Sequence, residues 1–331
     1  MCYNKVISIL FGDDSMIKVF KEINNKFNVI YEGTFEESAI EENSWIHITA
    51  PTLDDVQKIC NKTGLYVDML TGALDSEESA HLDIDDDNTL ITLDIPVIEE
   101  QQYETIPFSI MYNPKYIVTM CSKETNLVAN ILQKFKKIEP HKHVRLSLQI
   151  MYRIATLYII ALTQIDKKTK EVEGILHSSM KNKELFQLMS INKSLVYFST
   201  SLNANKVVLT KVARLPEYKK YEADFDLLED VEIENNQAIE MCSIYRDILS
   251  GSMDAYASII SNNLNIVMKI LAIITLIISI PNLIASLFGM NVDVPLNNNK
   301  GGFWIIIAIS FCLSVIGAVA LWYLSSKRKI K

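Results

Sequence analysis

Two long apolar stretches near the end of the chain constrain its fold more than any other feature. They cover Ile266–Phe288 and Phe303–Leu324, and a short polar connection joins them. A hydrocarbon core about 30 Å thick needs about 20 apolar helical residues, and each stretch reaches that length. Neither contains Asp or Glu, and Lys269 is the only basic residue in either. The sequence therefore predicts a hairpin of two transmembrane helices.

Basic residues predict the orientation of this hairpin. Lys269 lies at the start of the first span, and the connection contains only Lys300. Four basic residues follow the second span: Lys327, Arg328, Lys329 and Lys331. Positive charges near the ends of spans favour the cytoplasmic side. We therefore expect a multi-pass protein of a plasma membrane, by our interpretation a bacterial cell membrane, with both termini cytoplasmic and the connection outside.

Polar residues recur on one face of the first span. Four of them are spaced four, three and four residues apart: Thr275, Ser279, Asn282 and Ser286. The same helical face continues backwards through Leu271, Met268 and Asn265. An amide is costly to expose to lipid, so this stripe should face protein or water. Two interpretations stay open: a seam that packs against another helix, and the wet, uncharged lining of a pore.

Composition excludes several classes of function. Acidic residues concentrate before residue 266 and give a net charge of −8, and no basic stripe offers contacts to phosphates. This argues against a nucleic-acid partner. The sequence contains no GxxxxGK[ST] phosphate loop, no GxSxG motif and no HExxH motif. We therefore expect neither a nucleotide-driven pump nor an enzyme.

The first 122 residues alternate between strand and helix patterns. The strand candidates are Lys5–Leu10, Asn28–Tyr31, Trp45–Thr49, Thr89–Ile95, Ile106–Tyr112 and Tyr116–Cys121. Pro51 and Thr52, followed by two acids, predict the start of a helix that ends at Gly64, and a second short helix is predicted at Val67–Leu74. Strands mixed with helices predict an α/β sandwich.

From residue 123 onwards the apolar spacing is helical. Leu146–Leu162 is apolar enough to resemble a third span, but Gln149 and Arg153 interrupt it and favour a core helix. The last soluble helix runs into the first span without a proline, so we expect one long helix. One chain with two spans cannot enclose a pore, so several copies should assemble with the long helix innermost.

These patterns divide the chain into seven parts. They are a cytosolic α/β domain (1–122), a cytosolic helical region (123–224), a stalk helix (225–265), a pore-lining first transmembrane helix (266–288), an extracellular connection (289–302), a second transmembrane helix (303–324) and a basic cytoplasmic tail (325–331).

Acids in the soluble part are candidate ligands for Mg²⁺, because hard cations prefer oxygen ligands. One group precedes a predicted strand: Asp83, Asp85, Asp86 and Asp87. Asp230 lies on the predicted stalk, where a neighbouring subunit could approach. Metal could pair such acids across subunits, and their charges would repel without it. The alternative is a solvated turn and an ordinary helix surface. We expect His141 and His143 to face solvent rather than to bind metal.

The connection begins with Gly289-Met290-Asn291. A Gly-Met-Asn triplet that closes the first of two C-terminal spans, with a basic tail after the second, resembles the CorA-type magnesium transporter family. The resemblance extends to residues 245–256, and in the first domain to Trp45, Pro51-Thr52 and residues 64–75.

This resemblance implies a homopentamer with a central pore lined by the first span, and Mg²⁺ as both the transported ion and a regulatory ligand. It implies that Gly289, Met290 and Asn291 form the outer ring that meets the hydrated ion. In the lower pore it implies Asn265, Met268 and Leu271, the last two at an apolar gate. Asp230 matches a stalk acid of an intersubunit regulatory metal site, and Asp83, Asp85 and Asp86 lie in the less closely aligned partner region.

Two departures from the family pattern affect this picture. The connection has Asp293 as its only acid, and Ser279 and Asn282 stand where the family often has Met and Thr. The lining is therefore more polar, and conduction or ion preference could differ. We expect a channel-like transporter that admits magnesium, with cobalt and nickel as further ions, gated by intracellular magnesium. The alternatives are a zinc transporter of the same fold, with or without proton coupling, and a membrane-anchored metal sensor or scaffold without flux.

Overall fold

The computed structural model describes residues 15–23, 26–72, 75, 78–99, 102–135, 137–179, 182–290 and 301–327. The chain divides into two compact units, Met1–Gly251 and Ser252–Lys331.

A seven-stranded sheet forms the centre of the first unit. Its strands are β1 (Met16–Ile23), β2 (Lys26–Gly33), β3 (Trp45–Thr49), β4 (His81–Asp85), β5 (Asn88–Glu99), β6 (Gln102–Tyr112) and β7 (Ile117–Cys121). Their order across the sheet is β2-β1-β3-β7-β6-β5-β4. Strands β3 and β7 are parallel, and every other neighbouring pair is antiparallel. The sheet therefore consists of two antiparallel halves that meet at one parallel pair.

Helices cover both faces of this sheet. Helices α1 (Leu53–Thr63) and α2 (Val67–Gly72) share one hydrophobic core with alternate residues of β3, including Ile46 and Ile48. Helices α4 (His143–Ser179) and α5 (Asn182–Val212) pack on β5 and β6. Residues 45–48 of β3 are all buried, as expected for a strand that is covered on both faces of the sheet. The predicted α/β sandwich is confirmed.

Helix α1 begins and ends where its sequence signals place the boundaries. The Thr52 hydroxyl accepts a hydrogen bond from the Asp55 backbone N–H at 3.2 Å, and the Asp55 carboxylate accepts one from the Thr52 N–H at 3.0 Å. This reciprocal pair is a capping box. At the other end, Gly64 adopts φ 74°, a left-handed conformation that costs glycine little.

Strands β1 and β4 were not predicted from the sequence. In β1, three of the eight residues are charged, and in β4 two of the five are Asp, a residue that is depleted in strands. The predicted strand Lys5–Leu10 lies outside the described residues. The helical spacing begins at residue 123, whereas the first helix of this region, α3, covers only Leu127–Lys134.

The long helix α6 covers Glu222–Phe288 and belongs to both units, and α7 covers Gly302–Lys327. Within the described part of the chain, three helical segments are long and apolar enough to cross a membrane: His143–Leu176, Glu222–Phe288 and Gly302–Ala320. The most apolar part of the first is 61% buried inside the protein, whereas the values for the other two are 0% and 6%. The α4 segment is therefore a core helix, and α6 and α7 carry the apolar surface that lipid can cover.

Candidate ion pathway and metal-binding residues

The two membrane helices meet along one defined face of α6. Its partly covered residues are Ile273, Leu276, Ile280, Pro281, Ile284 and Phe288, mostly three or four positions apart. On α7 the buried positions include Ser310 and Ser314, whose hydroxyls donate to backbone carbonyls of their own helix. A Cβ atom at Gly317 would lie 3.1 Å from Leu276 Cδ2 and 3.4 Å from Ile280 Cδ1. Small residues of α7 therefore receive the branched side chains of α6.

The polar stripe of α6 lies on another face. Thr275, Ser279, Asn282 and Ser286 are all exposed in the single chain. Thr275 donates its hydroxyl hydrogen to the Leu271 carbonyl at 2.8 Å, whereas the Asn282 amide has no hydrogen-bond partner within the described part of the chain. The stripe is thus not the seam that holds this hairpin together. It needs water or another subunit to cover it.

Farther back on the same helix, the predicted lower pore residues are exposed as well. Met268 is 63% exposed and Leu271 is 55% exposed, and Asn265 also lies on the surface of the single chain. Exposed apolar side chains of this size are expected where another surface covers them.

The Gly-Met-Asn motif begins where α6 ends. The Gly289 N–H donates to the Ala285 carbonyl at 2.9 Å, and the Met290 N–H donates to the Leu287 carbonyl at 3.4 Å. A Cβ at Gly289 would lie 3.3 Å from the Ala285 oxygen, which is tighter than usual and favours glycine. Met290 is exposed. Asn291 and Asp293 lie outside the described residues.

The acids predicted as regulatory ligands lie on two elements of the first unit. Asp83 and Asp85 are on the edge strand β4, and Asp86 follows in the β4–β5 turn with φ 50°. All three are exposed, and Tyr66 donates its hydroxyl hydrogen to Asp86 at 3.3 Å. The charge of Asp86 and this hydrogen bond raise the pKa of Tyr66.

Asp230 is exposed on α6. Burial, and then the charges of Glu234 and Asp230, raise the pKa of Tyr152, so Asp230 lies in the electrostatic reach of α4. Among the described residues, no group of three metal-ligand atoms includes Asp230 or the β4 acids. A pairing across subunits, as the sequence analysis expected, stays a prediction.

Comparison with known proteins decides the family. The sequence model of the family described as "CorA-like Mg2+ transporter protein" matches residues 41–328. The chain belongs to this family.

Individual relatives agree with that assignment. The chain is 28% identical over 297 residues to the cobalt/magnesium transport protein CorA of Methanocaldococcus jannaschii, which covers 87% of this chain and 93% of the relative. The complete structure of that CorA superposes with a TM-score of 0.75 at 26% identity, covering 93% of this chain and 96% of the other. Full-length CmaX shares the fold, with a TM-score of 0.69 at 16% identity over 96% of this chain and 98% of the other.

Among the described residues, one group of possible metal ligands was not predicted from the sequence. It consists of Glu22, Glu139 and His141 in the first unit. His141 was expected to face solvent, and it is 46% exposed at its side chain. No sequence signal joins it to Glu22, because 119 positions separate them.

Proposed function

We propose that this chain is the subunit of a channel-like transporter that admits divalent cations, Mg²⁺ first among them, across the membrane. The observation that carries the proposal is the polar stripe of α6, which α7 leaves uncovered. An uncharged face of hydroxyl and amide groups suits a hydrated cation, because it offers hydrogen bonds without holding the ion tightly. Cobalt and nickel are further ions of this proposal; for cobalt it is in line with the name of the M. jannaschii relative.

A pore requires several copies of the chain. One stripe on one helix cannot surround an ion, whereas closed rings of identical subunits present the same face to a common axis. We propose a homopentamer with α6 innermost and α7 outside it. The stripe residues would then face the axis, and the large exposed side chains of Met268 and Leu271 would form an apolar constriction below them, near Asn265.

The outer ring of this pore is assigned to Gly289, Met290 and Asn291. Five Asn291 amide oxygens would accept hydrogen bonds from the water shell of the ion. Mg²⁺ loses its waters reluctantly, so recognition of the hydrated ion avoids a large barrier. The end of α6 at Phe288 supports this assignment, because Gly289 and Met290 of the motif lie just beyond the helix.

Regulation is assigned to the acids at Asp83, Asp85, Asp86 and Asp230. Each is exposed in the single chain, so each is available to a neighbouring subunit. Intracellular Mg²⁺ would bridge them and hold the subunits in a closed arrangement. Loss of the metal leaves like charges facing each other, which favours release of the constriction.

The location follows from the same hairpin. We propose a plasma membrane protein with both termini cytoplasmic and the connection at 289–302 outside. The seven-part division of the chain made from the sequence is kept as part of this proposal, with residues 1–265 on the cytoplasmic side.

Ion uptake by the purified protein in sealed vesicles tests this function. We expect Mg²⁺ influx down its gradient, inhibited by competing Co²⁺ and Ni²⁺ and insensitive to collapse of a pH gradient. Zn²⁺ uptake that requires the pH gradient would instead support the zinc transporter. No uptake of any of these ions by correctly inserted protein would contradict transport and leave a membrane-anchored sensor.

A further inference from the structure

Glu22, Glu139 and His141 bring two carboxylates and one imidazole together at the surface of the first unit. With one ligand atom taken from each residue, all separations are within 4.8 Å. His141 Nδ1 lies 3.6 Å from Glu22 Oε2, and His141 Nε2 lies 4.0 Å from Glu139 Oε1. Both distances are longer than a hydrogen bond, so His141 is not hydrogen-bonded to either glutamate.

The three side chains are near enough for one metal ion to draw them together. A tetrahedral ion with bonds of about 2.1 Å holds its ligand atoms about 3.4 Å apart. One ion can bind only one of the two imidazole nitrogens, and with one atom from each residue the separations are within 4.8 Å. Side-chain rotation, chiefly of the exposed His141, must therefore bring the three atoms closer together around an ion. The Glu22 and Glu139 side chains are 17% and 11% exposed, whereas that of His141 is 46% exposed, so an ion can enter from the histidine side.

The backbone fixes all three ligands before any ion binds. Glu139, Pro140, His141 and Lys142 form a turn in which the Lys142 N–H donates to the Glu139 carbonyl at 2.9 Å. Pro140 occupies the second position, which its fixed φ angle favours. Buried Ile138 and Pro140 anchor the turn on both sides of Glu139. Glu22 lies on β1, which is paired with a strand on each side.

Two lysines compete with an ion at this position. The ammonium groups of Lys137 and Lys142 lie 2.9 and 3.1 Å from Glu139 Oε1. Burial raises the pKa of Glu139, but hydrogen bonds and charge from these lysines outweigh it and lower the pKa, so the carboxylate is ionised at neutral pH. Both lysine side chains are at least half exposed and can move into solvent when a cation arrives.

We propose that Glu22, Glu139 and His141 form a binding site for a divalent transition metal ion of the Zn²⁺, Co²⁺ or Ni²⁺ class. An imidazole ligand favours these ions, whereas Mg²⁺ prefers oxygen ligands and water. Three protein ligands leave at least one position to water, so the ion can exchange. The site uses none of the acids assigned above to Mg²⁺, and it does not depend on the proposed transport.

Co²⁺ binding to the full-length protein in detergent, with Mg²⁺ in large excess, tests this site. Equilibrium dialysis should give one retained Co²⁺ per chain, because Mg²⁺ occupies sites built from oxygen ligands alone. His141→Ala should weaken Co²⁺ binding at least tenfold, since even the loss of an indirect partner costs about that much. Glu22→Gln should weaken Co²⁺ binding to a similar extent. Because glutamine is nearly the same size as glutamate, this variant removes the charge with little change in packing.

His81→Ala is the matched control. His81 is also a partly exposed histidine beside a carboxylate, with its Nδ1 3.4 Å from Glu78 Oε1, but it belongs to no group of three ligands among the described residues. Its replacement should change Co²⁺ affinity less than twofold. Wild-type protein that retains no Co²⁺ in excess Mg²⁺ would overturn the proposal. So would unchanged binding by folded His141→Ala protein, which would leave the histidine as a charge partner of the two glutamates.

Discussion

His47 lies in the centre of the sheet and is almost completely buried. Its Nδ1 is 3.0 Å from the Thr119 hydroxyl, and its Nε2 is 3.3 Å from the Thr49 hydroxyl. Burial, and then the positive charge of Lys18, lower its pKa from 6.5 to about 4, and a backbone hydrogen bond at Thr119 opposes this shift. His47 is therefore neutral in the folded protein at neutral pH.

The shift predicts a pH-dependent stability. The unfolded chain binds a proton at His47 below about pH 6.5, whereas the folded chain does so only near pH 4, so stability is lost as the pH falls through this window. The loss is roughly 2 kcal/mol at pH 5. His47→Gln should show a smaller drop in melting temperature between pH 7.5 and 5 than the wild type. An equal drop in both proteins would contradict the assignment.

Asn282 is the most polar residue of the exposed stripe. Asn282→Leu should strongly reduce Mg²⁺ uptake in vesicles while leaving the oligomer intact, because it replaces an amide proposed to face the hydrated ion with an apolar side chain. Ile284→Leu is the control, since it places the same side chain on the face that packs against α7. Undiminished uptake, or loss of the oligomer, would contradict this role, and loss of the oligomer would instead assign the stripe to packing between subunits.

At the scale of elements, the packing of α6 on α7 depends on Gly317. A Cβ there meets Leu276 at 3.1 Å, and larger side chains have no space in the described hairpin. Gly317→Leu should destabilise the protein by about 1–3 kcal/mol through overpacking. Thermal unfolding in detergent measures this effect. Gly174→Leu is the control, because no atom of the described residues, apart from the neighbouring backbone of its own helix, lies within 4 Å of a Cβ at that glycine. Equal stability of both variants would contradict the close contact at Gly317.

The elements that the sequence predicted have strong local signals. Thr52 and Gly64 define both ends of α1, and the apolar runs of β3, β5, β6 and β7 match their strands. Strands β1 and β4 contain several charged residues, and pairing with neighbouring strands outweighs their low strand propensity. For β4, the sequence pattern alone indicates only an acidic group at Asp83–Asp87. The polar stripe on α6 could be predicted from the helical spacing of its residues. Its exposure could not be predicted, because it depends on which face of α6 packs against α7.

At the scale of the whole molecule, Asp230 tests regulation. Asp230→Ala should shift inhibition by internal Mg²⁺ to higher concentrations, because one ligand of the proposed intersubunit metal site is lost. The measurement is initial uptake into vesicles loaded with increasing Mg²⁺. Glu240→Ala, an exposed acid farther along the same helix, should leave the curve in place. An unmoved curve for Asp230→Ala would remove this residue from the regulatory site.

The sites differ in how far the sequence could predict them. The Gly-Met-Asn motif is contiguous, so its place at the end of the first span was visible directly. Glu22 and His141 come together only through the fold of β1 and the turn before α4. The proposed pairing of Asp230 with the β4 acids would require a second subunit, so neither the sequence nor one folded chain can bring them together.

Mg²⁺ uptake by Asn291→Ala tests the central claim most directly. The variant lacks the amide proposed to meet the hydrated ion at the mouth of the pore, whereas Asn298→Ala removes the same amide elsewhere in the connection. In reconstituted vesicles, with assembly confirmed by size-exclusion chromatography, we predict that Asn291→Ala abolishes Mg²⁺ influx and that Asn298→Ala conducts like the wild type. Undiminished influx through correctly assembled Asn291→Ala protein would contradict the account.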